Sequence, residues 1–374
     1  MLKSGEIQKL PAKTIYNIGN NIVILGVNLF LNKECIVDVS QIKVSELARL
    51  ADINKPLISK YFKEAPNSLV TKVNDRITGL SPEAATEFLL EHGKDYFTKG
   101  GVILVANLCG GVGKTSGTYS LSASARRTHT RKDPIVIIDT DSQASFSKTV
   151  CGAPAADDEL ILIDFLEGKA KIEDILTEIG NNVWFVKSNL NQAYIDKVLS
   201  KPADIKKAMF NFYQEIFRHL GENTKIFQDH TPQLSSIFAS SVCAISQLEP
   251  DLLRAVLIPM RSDDYAIDGA EKILNEINEL QDTFNLKRNI DIHCYFSSID
   301  RRISTTSEAI KGAKKKEAII NHLCPVVIRY CSEIPKSIQK SNNVYSSGKA
   351  NNAAEDYQDL LQYIFSYTKE TEVA

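Results

Sequence analysis

The sequence predicts an α/β protein with a mostly parallel sheet covered by helices on both faces, preceded by a small all-α domain. From residue 102 onward, short apolar runs alternate with amphipathic stretches, which is the pattern of a parallel sheet packed between helices. Residues 1–98 show mainly helical spacing instead. A chain of 374 residues also exceeds the usual size of a single core. We therefore predict a helical domain over residues 1–98 and an α/β domain over residues 99–374.

The clearest helical pattern in the first domain runs from Val44 to Phe62, with a break at Asp52–Asn54. Two short helices joined by a three-residue turn are typical of the helix-turn-helix, whose second helix enters the major groove of DNA. Asn54 at the end of the break and Pro56 shortly after it suit the start of a second helix. An ordinary helical hairpin would have the same spacing, and an Asp stands at the turn position where Gly is common. On the DNA-binding interpretation, the residues that face DNA are Lys55, Ser59 and Lys60.

A connecting helix is expected after Ser81, which is a suitable N-cap and is followed by Pro in the first turn. Gly100 and Gly101 then mark the start of the α/β domain. The candidate strands are the run that ends at Asn107, then Ile135–Asp139, Val183–Val186, Lys225–Asp229, Ala255–Pro259, Ile290–Ser297 and Val326–Tyr330. The candidate helices between them include Ile205–Leu220, Ala266–Phe284 and Thr305–His322.

A glycine-rich turn follows the first apolar run, within the sequence VILVANLCGGVGKTSGT from Val102 to Thr118. Glycines let backbone N–H groups turn toward an anion, and the N-terminus of the next helix adds partial positive charge. Lys114 can reach the β- and γ-phosphates, and the Thr115 hydroxyl can bind Mg²⁺. A glycine turn that binds nothing is the alternative. We predict that ATP or ADP with Mg²⁺ binds here, through Gly110, Gly111, Val112, Gly113, Lys114, Thr115 and Ser116.

Two later strands end in carboxylates, at the edge of the sheet where α/β proteins bind ligands. The first reads IVIIDTDSQ and contains Asp139 and Asp141, and the second reads KIFQDHTP and contains Asp229. Phosphoryl transfer needs little more than a phosphate cradle, a cation, a metal ion and an acid that orients water. A strand-end Asp can also simply cap the next turn. The order of loop and carboxylates along the chain favours the catalytic interpretation.

From Val102 to about Lys349 the chain resembles the ParA-type plasmid or chromosome partition ATPases. The helical domain makes it similar to their larger subgroup, which carries an N-terminal helix-turn-helix. The glycine loop fits the family variant K-G-G-x-x-K-[ST], with Cys109 in place of the first Lys. IDTDSQ resembles the family's D-x-D-P-Q segment, and KIFQDHTP resembles its Walker B strand. The late segments Glu333–Ser337 and Ser347–Lys349 are similar to the family's I-P-[RK]-x region.

The resemblance implies a P-loop NTPase fold and an ATP-dependent homodimer that binds DNA nonspecifically. It also implies stimulation by a ParB-type centromere-binding partner and, in the larger subgroup, repression of the protein's own operon. It places Asp141 near the γ-phosphate and the attacking water, and Asp229 near Mg²⁺. The catalytic residues so implied are Lys114, Asp141 and Asp229; the Mg²⁺ ligands are Thr115, Asp141 and Asp229; and Pro335 lies near the base.

Three positions depart from the family pattern. Cys109 replaces the signature Lys, Ser142 replaces a Pro, and Thr231-Pro232 keeps only the second residue of a Pro pair. The family's Lys reaches the partner's γ-phosphate, and a thiol cannot supply that charge. We therefore predict slow ATP hydrolysis with binding intact, unless another basic residue such as Lys336 or Lys349 already substitutes.

A basic cluster supports nonspecific DNA binding independently of the resemblance. Residues 301–316 include six basic residues and one acidic residue, Glu308. Such a cluster on one helix face would bind DNA phosphates with strong salt dependence, although a solvated helix face has the same composition. The cluster comprises Arg301, Arg302, Lys311, Lys314, Lys315 and Lys316, and Lys336 and Lys340 follow it.

Composition limits the other possibilities. The net charge of −2 gives no general attraction for nucleic acid, so DNA contacts must come from local patches. Seven scattered cysteines without a C-x-x-C pair indicate reduced thiols, not a disulfide framework or a zinc site. No targeting or membrane-spanning segment is evident. We therefore expect a cytoplasmic, nucleoid-associated protein without membrane contact.

Three other classes of protein remain as alternatives. A MinD-like membrane-cycling ATPase would need a basic amphipathic C-terminal helix, whereas this tail carries Asp356, Asp359, Glu370 and Glu372. A nitrogenase-reductase-like electron carrier would need cysteines placed to hold a cluster, which the spacing does not indicate. The strongest alternative is a DNA-binding transcriptional regulator that uses nucleotide binding as a switch with little hydrolysis.

Overall fold

The computed structural model describes the backbone of residues 16–18 and 21–23, and then residues 41–94, 99–129, 133–180, 182–300, 302–303, 305–339, 343–345 and 352–373. Several predicted features lie outside these residues. They are Arg301, Lys340 and the segment Ser347–Lys349.

The strands in chain order are β1 (Tyr16–Ile18), β2 (Asn21–Val23), β3 (Ile42–Lys43), β4 (Val70–Val73), β5 (Arg76–Leu80), β6 (Gly101–Val105), β7 (Ile135–Asp139), β8 (Leu176–Gly180), β9 (Val183–Val186), β10 (Lys225–Asp229), β11 (Leu253–Met260), β12 (Asp291–Ile299) and β13 (Leu323–Arg329). The short strands β1 and β2 pair with each other in an antiparallel arrangement.

The α-helices are α1 (Val44–Ala51), α2 (Lys55–Tyr61), α3 (Pro82–Glu91), α4 (Lys114–Ser124), α5 (Ser145–Cys151), α6 (Leu162–Leu166), α7 (Ile172–Ile175), α8 (Ile195–Val198), α9 (Pro202–Leu220), α10 (Ser236–Ser246), α11 (Asp264–Thr283), α12 (Thr305–Ala313), α13 (Glu317–Ile320), α14 (Glu333–Gln339) and α15 (Asn352–Val373). A π-helical stretch, Ala125–His129, follows α4 directly, and a 3₁₀ turn covers Leu190–Tyr194.

The main sheet has eight strands in the order β13-β12-β11-β6-β10-β7-β9-β8. All neighbours in it pair in parallel except β8, which is antiparallel to β9 at one edge. The mostly parallel sheet is therefore as predicted, and the predicted strands 135–139, 183–186 and 225–229 agree with β7, β9 and β10. The edge strand β8 was not predicted.

Helices cover both faces of this sheet, so its central strands are buried on both sides. In β6, Ile103 and Val105 pack into one core layer, and Val102 and Leu104 pack into the other. The first layer includes residues of α4 and α15, and the second includes residues of α9, α10 and α11. This double burial explains why the central strands read as continuous apolar runs in the sequence.

The N-terminal domain needs a correction, because the part that the structure describes is not all-α. Beside α1, α2 and α3 it contains a three-stranded antiparallel sheet in the order β3-β5-β4. Asn74 and Asp75 join β4 to β5, and both have positive φ, 48° and 58°. A two-residue hairpin turn requires such angles, and Asn and Asp tolerate them better than most residues.

The pair α1 and α2 has the predicted arrangement, with a short connection in which Asp52 adopts the left-handed conformation (φ 56°). Its interpretation as a DNA-binding helix-turn-helix stays a prediction. The two predicted domains share part of their core, because buried residues of α1 and α3 belong to the same core cluster as residues of α4 and α15. A largely buried ion pair between Glu46 and Arg127 joins α1 to the π-helical stretch after α4, and Arg127 also donates to the Gln41 carbonyl oxygen at 2.6 Å.

The predicted helix Thr305–His322 is also interrupted. Turns at residues 314–316 separate α12 from α13, so the basic cluster does not lie on one continuous helix face. Within the described residues, no helix is both long and apolar enough to cross a membrane.

Candidate nucleotide-binding site

The glycine loop connects β6 to α4, as the sequence predicts. Gly111 and Gly113 have positive φ angles of 70° and 93°, a conformation that side chains with a Cβ rarely adopt. Gly113 immediately precedes α4, and Lys114 is the first residue of that helix. The loop amides are therefore next to a helix N-terminus, which is a favourable place for a phosphate group.

Asn107, the second residue after β6, fixes the start of the loop. Its Nδ2 donates to the carbonyl oxygens of Pro259 (2.8 Å) and Ala266 (3.1 Å), while its Oδ1 accepts from the Cys109 amide (2.8 Å). A Cβ at Gly269 would lie 2.5 Å from that Oδ1, so α11 can approach the loop only with glycine there. We did not predict this role. A polar amide at the end of a buried strand was the available signal.

Ser297, in β12, forms a hydrogen bond with the backbone of the loop. Its Oγ donates to the Val112 carbonyl oxygen at 2.5 Å and to the Met260 carbonyl oxygen at 3.3 Å. This ties β12 and β11 to the loop although residue 297 is far from it in sequence.

Lys114 is buried, and its Nζ donates to the Cys109 carbonyl oxygen at 2.9 Å. Burial lowers the pKa of Lys114, and the nearby carboxylates of Asp229 and Asp141 oppose that shift by favouring the charged ammonium. The side chain of Lys114 thus binds the backbone of its own loop. An anion placed among the loop amides could take over this hydrogen bond.

Thr115 and Asp229 meet at the carboxyl edge of the sheet. The Thr115 hydroxyl donates to Asp229 Oδ2 at 2.6 Å, and Asp229 Oδ1 is buried with no hydrogen-bond partner among the described residues. Burial raises the pKa of Asp229 to about 8, against the opposing hydrogen bond from Thr115. Burying a carboxylate oxygen without a hydrogen-bond partner is energetically unfavourable unless a cation binds it.

These two residues fit Mg²⁺ by their chemistry. The ion prefers oxygen ligands and usually takes one or two from protein, with water and substrate phosphates completing its shell. Thr115 and Asp229 would hold it through a hydroxyl and a carboxylate. Within the described part of the chain no group of three or more His, Cys, Asp or Glu side chains could hold a metal, so phosphate oxygens would be needed.

Asp139 and Asp141 have different surroundings. Asp139 is fully buried and accepts hydrogen bonds from the Asp141 amide (3.0 Å) and from the amide and hydroxyl of Ser147 (2.8 and 2.7 Å). Burial raises its pKa to about 6. Asp141 is half-buried, and its Oδ1 accepts from the Gln143 amide at 2.9 Å. Asp139 therefore shapes the turn, and Asp141 is the carboxylate that remains accessible.

Pro335 lies in a helix at one side of the sheet. It lies exposed in α14, which follows the edge strand β13, and β12 and β11 separate that strand from β6. Lys336 in the same helix pairs with Glu333 at 3.0 Å. The predicted roles of Pro335 near the base and of Lys336 in DNA binding stay predictions.

The basic cluster is less free than its sequence indicates. Lys316 pairs with Asp268 (2.8 Å) and Glu271 (2.5 Å) of α11, and Arg302 forms a two-pronged pair with Asp300. Acidic residues outside the 301–316 segment thus neutralise part of the positive charge of the cluster. The exposed members with no ion pair to any described residue are Lys311, Lys314 and Lys315.

A second basic surface lies in the N-terminal domain. A groove of about 970 Å³ runs between α2 and the β4–β5 hairpin, and Lys55 and Ser59 contribute to its wall. Lys60 is exposed on the same helix. The charged residues that line the groove are the cations Lys43, Lys55, Lys63, Lys72 and Arg76 and the acids Glu64 and Asp75.

Comparisons with known proteins identify a family for the chain. Residues 100–292 match the protein family described as "AAA domain". The chain is 24% identical over 218 residues to the chromosome partitioning protein ParA of Caulobacter vibrioides strain NA1000, covering 57% of this chain and 75% of the relative. It is 25% identical over 243 residues to the sporulation initiation inhibitor protein Soj of Bacillus subtilis strain 168, covering 63% of this chain and 88% of the relative.

A solved structure extends the comparison to the fold. The cobyrinic acid a,c-diamide synthase of Mycobacterium smegmatis, solved with a bound ATP analogue and magnesium, aligns with a TM-score of 0.56 and 17% identity. The alignment covers 73% of this chain and 96% of the synthase. At this identity the similarity shows the fold alone, which is that of a P-loop NTPase.

Proposed function

The chain belongs to the AAA domain family, and on that premise we propose that it is an ATP-dependent DNA partition ATPase. It binds ATP with Mg²⁺, dimerises and binds DNA nonspecifically. A ParB-type centromere-binding partner stimulates it, and it also represses its own operon. The observation that carries this proposal is the assembly of a glycine loop, Lys114, Thr115 and Asp229 at one edge of the sheet. The partition proteins among its relatives supply the cellular process.

The residues of the site divide the work on the nucleotide. The amides of Gly110–Gly113 and the start of α4 cradle the phosphates, and Lys114 exchanges the Cys109 carbonyl oxygen for a phosphate oxygen. Thr115 and Asp229 would hold Mg²⁺, and the ion would supply positive charge beside the phosphates. Asp141 is accessible at the same edge and orients the attacking water.

A second copy of the chain is the proposed partner across the carboxyl edge of the sheet. Large apolar side chains are exposed in the segments that follow β9, β10 and β11, with exposed fractions between 47% and 84%. Side chains of this kind are enriched at protein interfaces. They are Leu190, Tyr194, Leu234 and Tyr265.

Hydrolysis is proposed to be slow because Cys109 stands where the family has a Lys. Cys109→Lys should raise the single-turnover rate of ATP hydrolysis about 10-fold or more, since a cation in a water-excluded site stabilises charge on the transferring phosphoryl group. The affinity for ATP should change little, because Lys114 and the loop amides are retained. Cys331→Lys is the matched control, since Cys331 is also half-buried and lies after β13. An unchanged or lower rate in Cys109→Lys would contradict this explanation.

Nonspecific DNA binding is assigned to the exposed lysines after α12. Changing Lys314 and Lys315 to alanine should weaken binding to random duplex DNA and reduce the slope of log K against log salt by about 2, at ~0.9 per phosphate contact. Lys316→Ala is the matched control, because Lys316 is already paired with Asp268 and Glu271. Fluorescence anisotropy at several salt concentrations measures both quantities. If the double variant binds like the parent throughout, the cluster is an ordinary solvated surface.

The basic groove beside α2 favours one alternative, a DNA-binding regulator that uses nucleotide as a switch with little hydrolysis. Lys55 and Ser59 in that groove and Lys60 beside it would contact a specific site. ATP turnover with and without random DNA and a candidate centromere-binding partner separates the two functions. A partition ATPase should turn over faster with both present, whereas the regulator should show no increase. In either case we propose that the protein resides on the nucleoid.

A further inference from the structure

A second cation lies beside the glycine loop. It is Arg261, the residue after β11. A Cβ built on Gly111 would lie 3.8 Å from Arg261 Nη1. The reason is topological: β11 pairs in parallel with β6, so the residues that follow β11 lie next to the loop that follows β6. The guanidinium therefore approaches the part of the loop where phosphate oxygens would sit.

Arg261 is held loosely. Its Nε lies 3.3 Å from Asp263 Oδ2, and its side chain is 53% exposed. Asp263 itself is fixed, because its Oδ1 caps the N-terminus of α11 by accepting from the Ala266 amide at 3.0 Å. A half-exposed ion pair of this kind contributes little to stability, so a more highly charged anion can replace the carboxylate.

A bound triphosphate requires more positive charge than the glycine loop supplies. A bound triphosphate carries about four negative charges, and further charge develops on its equatorial oxygens as the terminal phosphoryl group is transferred. The glycine loop contributes one full positive charge, Lys114, because Cys109 is a thiol at this point of the loop. A guanidinium can donate two parallel hydrogen bonds to one phosphate, which a lysine cannot.

We propose that Arg261 is the second cation of the site and acts on the nucleotide bound by its own subunit. This inference rests on the proposed ATPase function. When the triphosphate binds, the guanidinium leaves Asp263 and pairs with oxygens of the terminal phosphate. Water then adds to the terminal phosphorus, the bond to the bridging oxygen breaks, and its electron pair goes to ADP. The proton of the water passes to the released phosphate. Arg261 neutralises charge on the transferring oxygens and is chemically unchanged at the end.

The test compares Arg261→Ala, Arg261→Lys and a matched control, Arg288→Ala, in the full-length protein. Arg288 is also an exposed arginine paired with an aspartate, Asp282 at 2.6 Å, and it lies before β12 at the opposite edge of the sheet. Single-turnover hydrolysis of ATP with Mg²⁺ should fall at least about 100-fold in Arg261→Ala and recover partly in Arg261→Lys. The dissociation constant for ATP should change less than about 5-fold, because the loop and Lys114 are intact. Arg288→Ala should match the parent in both.

The outcomes separate this inference from the function on which it rests. A parent protein that neither binds nor hydrolyses ATP overturns the proposed function itself. A parent that hydrolyses ATP and an Arg261→Ala variant with the same rate overturn the role of Arg261 alone. Asp263→Asn provides a second variant that keeps the helix cap while it removes the ion pair. Its rate should equal or exceed that of the parent, and a 10-fold fall would overturn the inference.

Discussion

Replacing Lys114 with alanine should weaken ATP binding at least about 100-fold. Lys114 is the buried cation of the glycine loop, and its ammonium donates to a neutral acceptor, the Cys109 carbonyl oxygen, at 2.9 Å. A phosphate in the loop would replace that neutral acceptor by a charged one. Charge-assisted hydrogen bonds contribute about 1.5–3 kcal/mol each, and a buried phosphate without a counter-ion is unfavourable besides. Isothermal titration with ATP and Mg²⁺ measures the change.

The control for this variant should also remove a buried lysine. Lys225 is buried at the start of β10, at the opposite edge of the sheet, where its Nζ lies 3.0 Å from Asp133 Oδ2. Burial lowers the pKa of Lys225, as it does for Lys114. Lys225→Ala should therefore leave the ATP affinity of the folded protein close to that of the parent. If Lys114→Ala binds ATP as the parent does, the nucleotide site has been assigned to the wrong loop.

Replacing Asp229 with asparagine should lower Mg²⁺-dependent hydrolysis at least about 100-fold and yet stabilise the nucleotide-free protein. The carboxylate is needed for the metal, but without a ligand its Oδ1 is buried and unpaired. Burial raises the pKa of Asp229 to about 8. The folded state therefore binds more protons than the unfolded state between about pH 4 and pH 8, so stability from this group falls as the pH rises through that range.

Asparagine has no such titration and keeps the shape of the side chain. In EDTA, the free energy of unfolding of Asp229→Asn should exceed that of the parent by about 1–2 kcal/mol at pH 8, and the difference should shrink toward pH 5. Urea unfolding at the two pH values measures this. Asp157→Asn, in a loop on the surface, should show no such trend. A less stable Asp229→Asn at pH 8 would contradict the account of the orphaned oxygen.

The elements that the sequence predicts well are those whose signals are local. A strand buried on both faces is a continuous apolar run, and a glycine loop before a helix has a fixed order, so β6, β7, β10 and the loop were placed correctly. The β4–β5 hairpin was missed because its strands are short and only partly buried, with only the Asn-Asp turn as a signal. Sequence spacing is a weak guide to a three-stranded sheet of that kind.

The features that the sequence could not give depend on contacts between distant residues. Lys316 is neutralised by acids of α11 that are more than forty positions away. Asn107 fixes the loop through carbonyl oxygens of Pro259 and Ala266, about 150 positions away. Arg261 reaches the loop only because β11 lies beside β6 in the sheet. In each case the order of the strands in the sheet determines which residues come together. No local sequence pattern predicts that order.

We propose that ATP at the glycine loop controls DNA binding through the ATP-dependent dimer, and anisotropy of a labelled random duplex tests this most directly. The parent and Lys114→Ala should be titrated with ATP and Mg²⁺, with ADP and Mg²⁺, and without nucleotide. The account predicts that ATP tightens DNA binding of the parent by about 10-fold or more over the other two conditions, and that Lys114→Ala loses this difference. Equal DNA binding by the parent in all three conditions would contradict it.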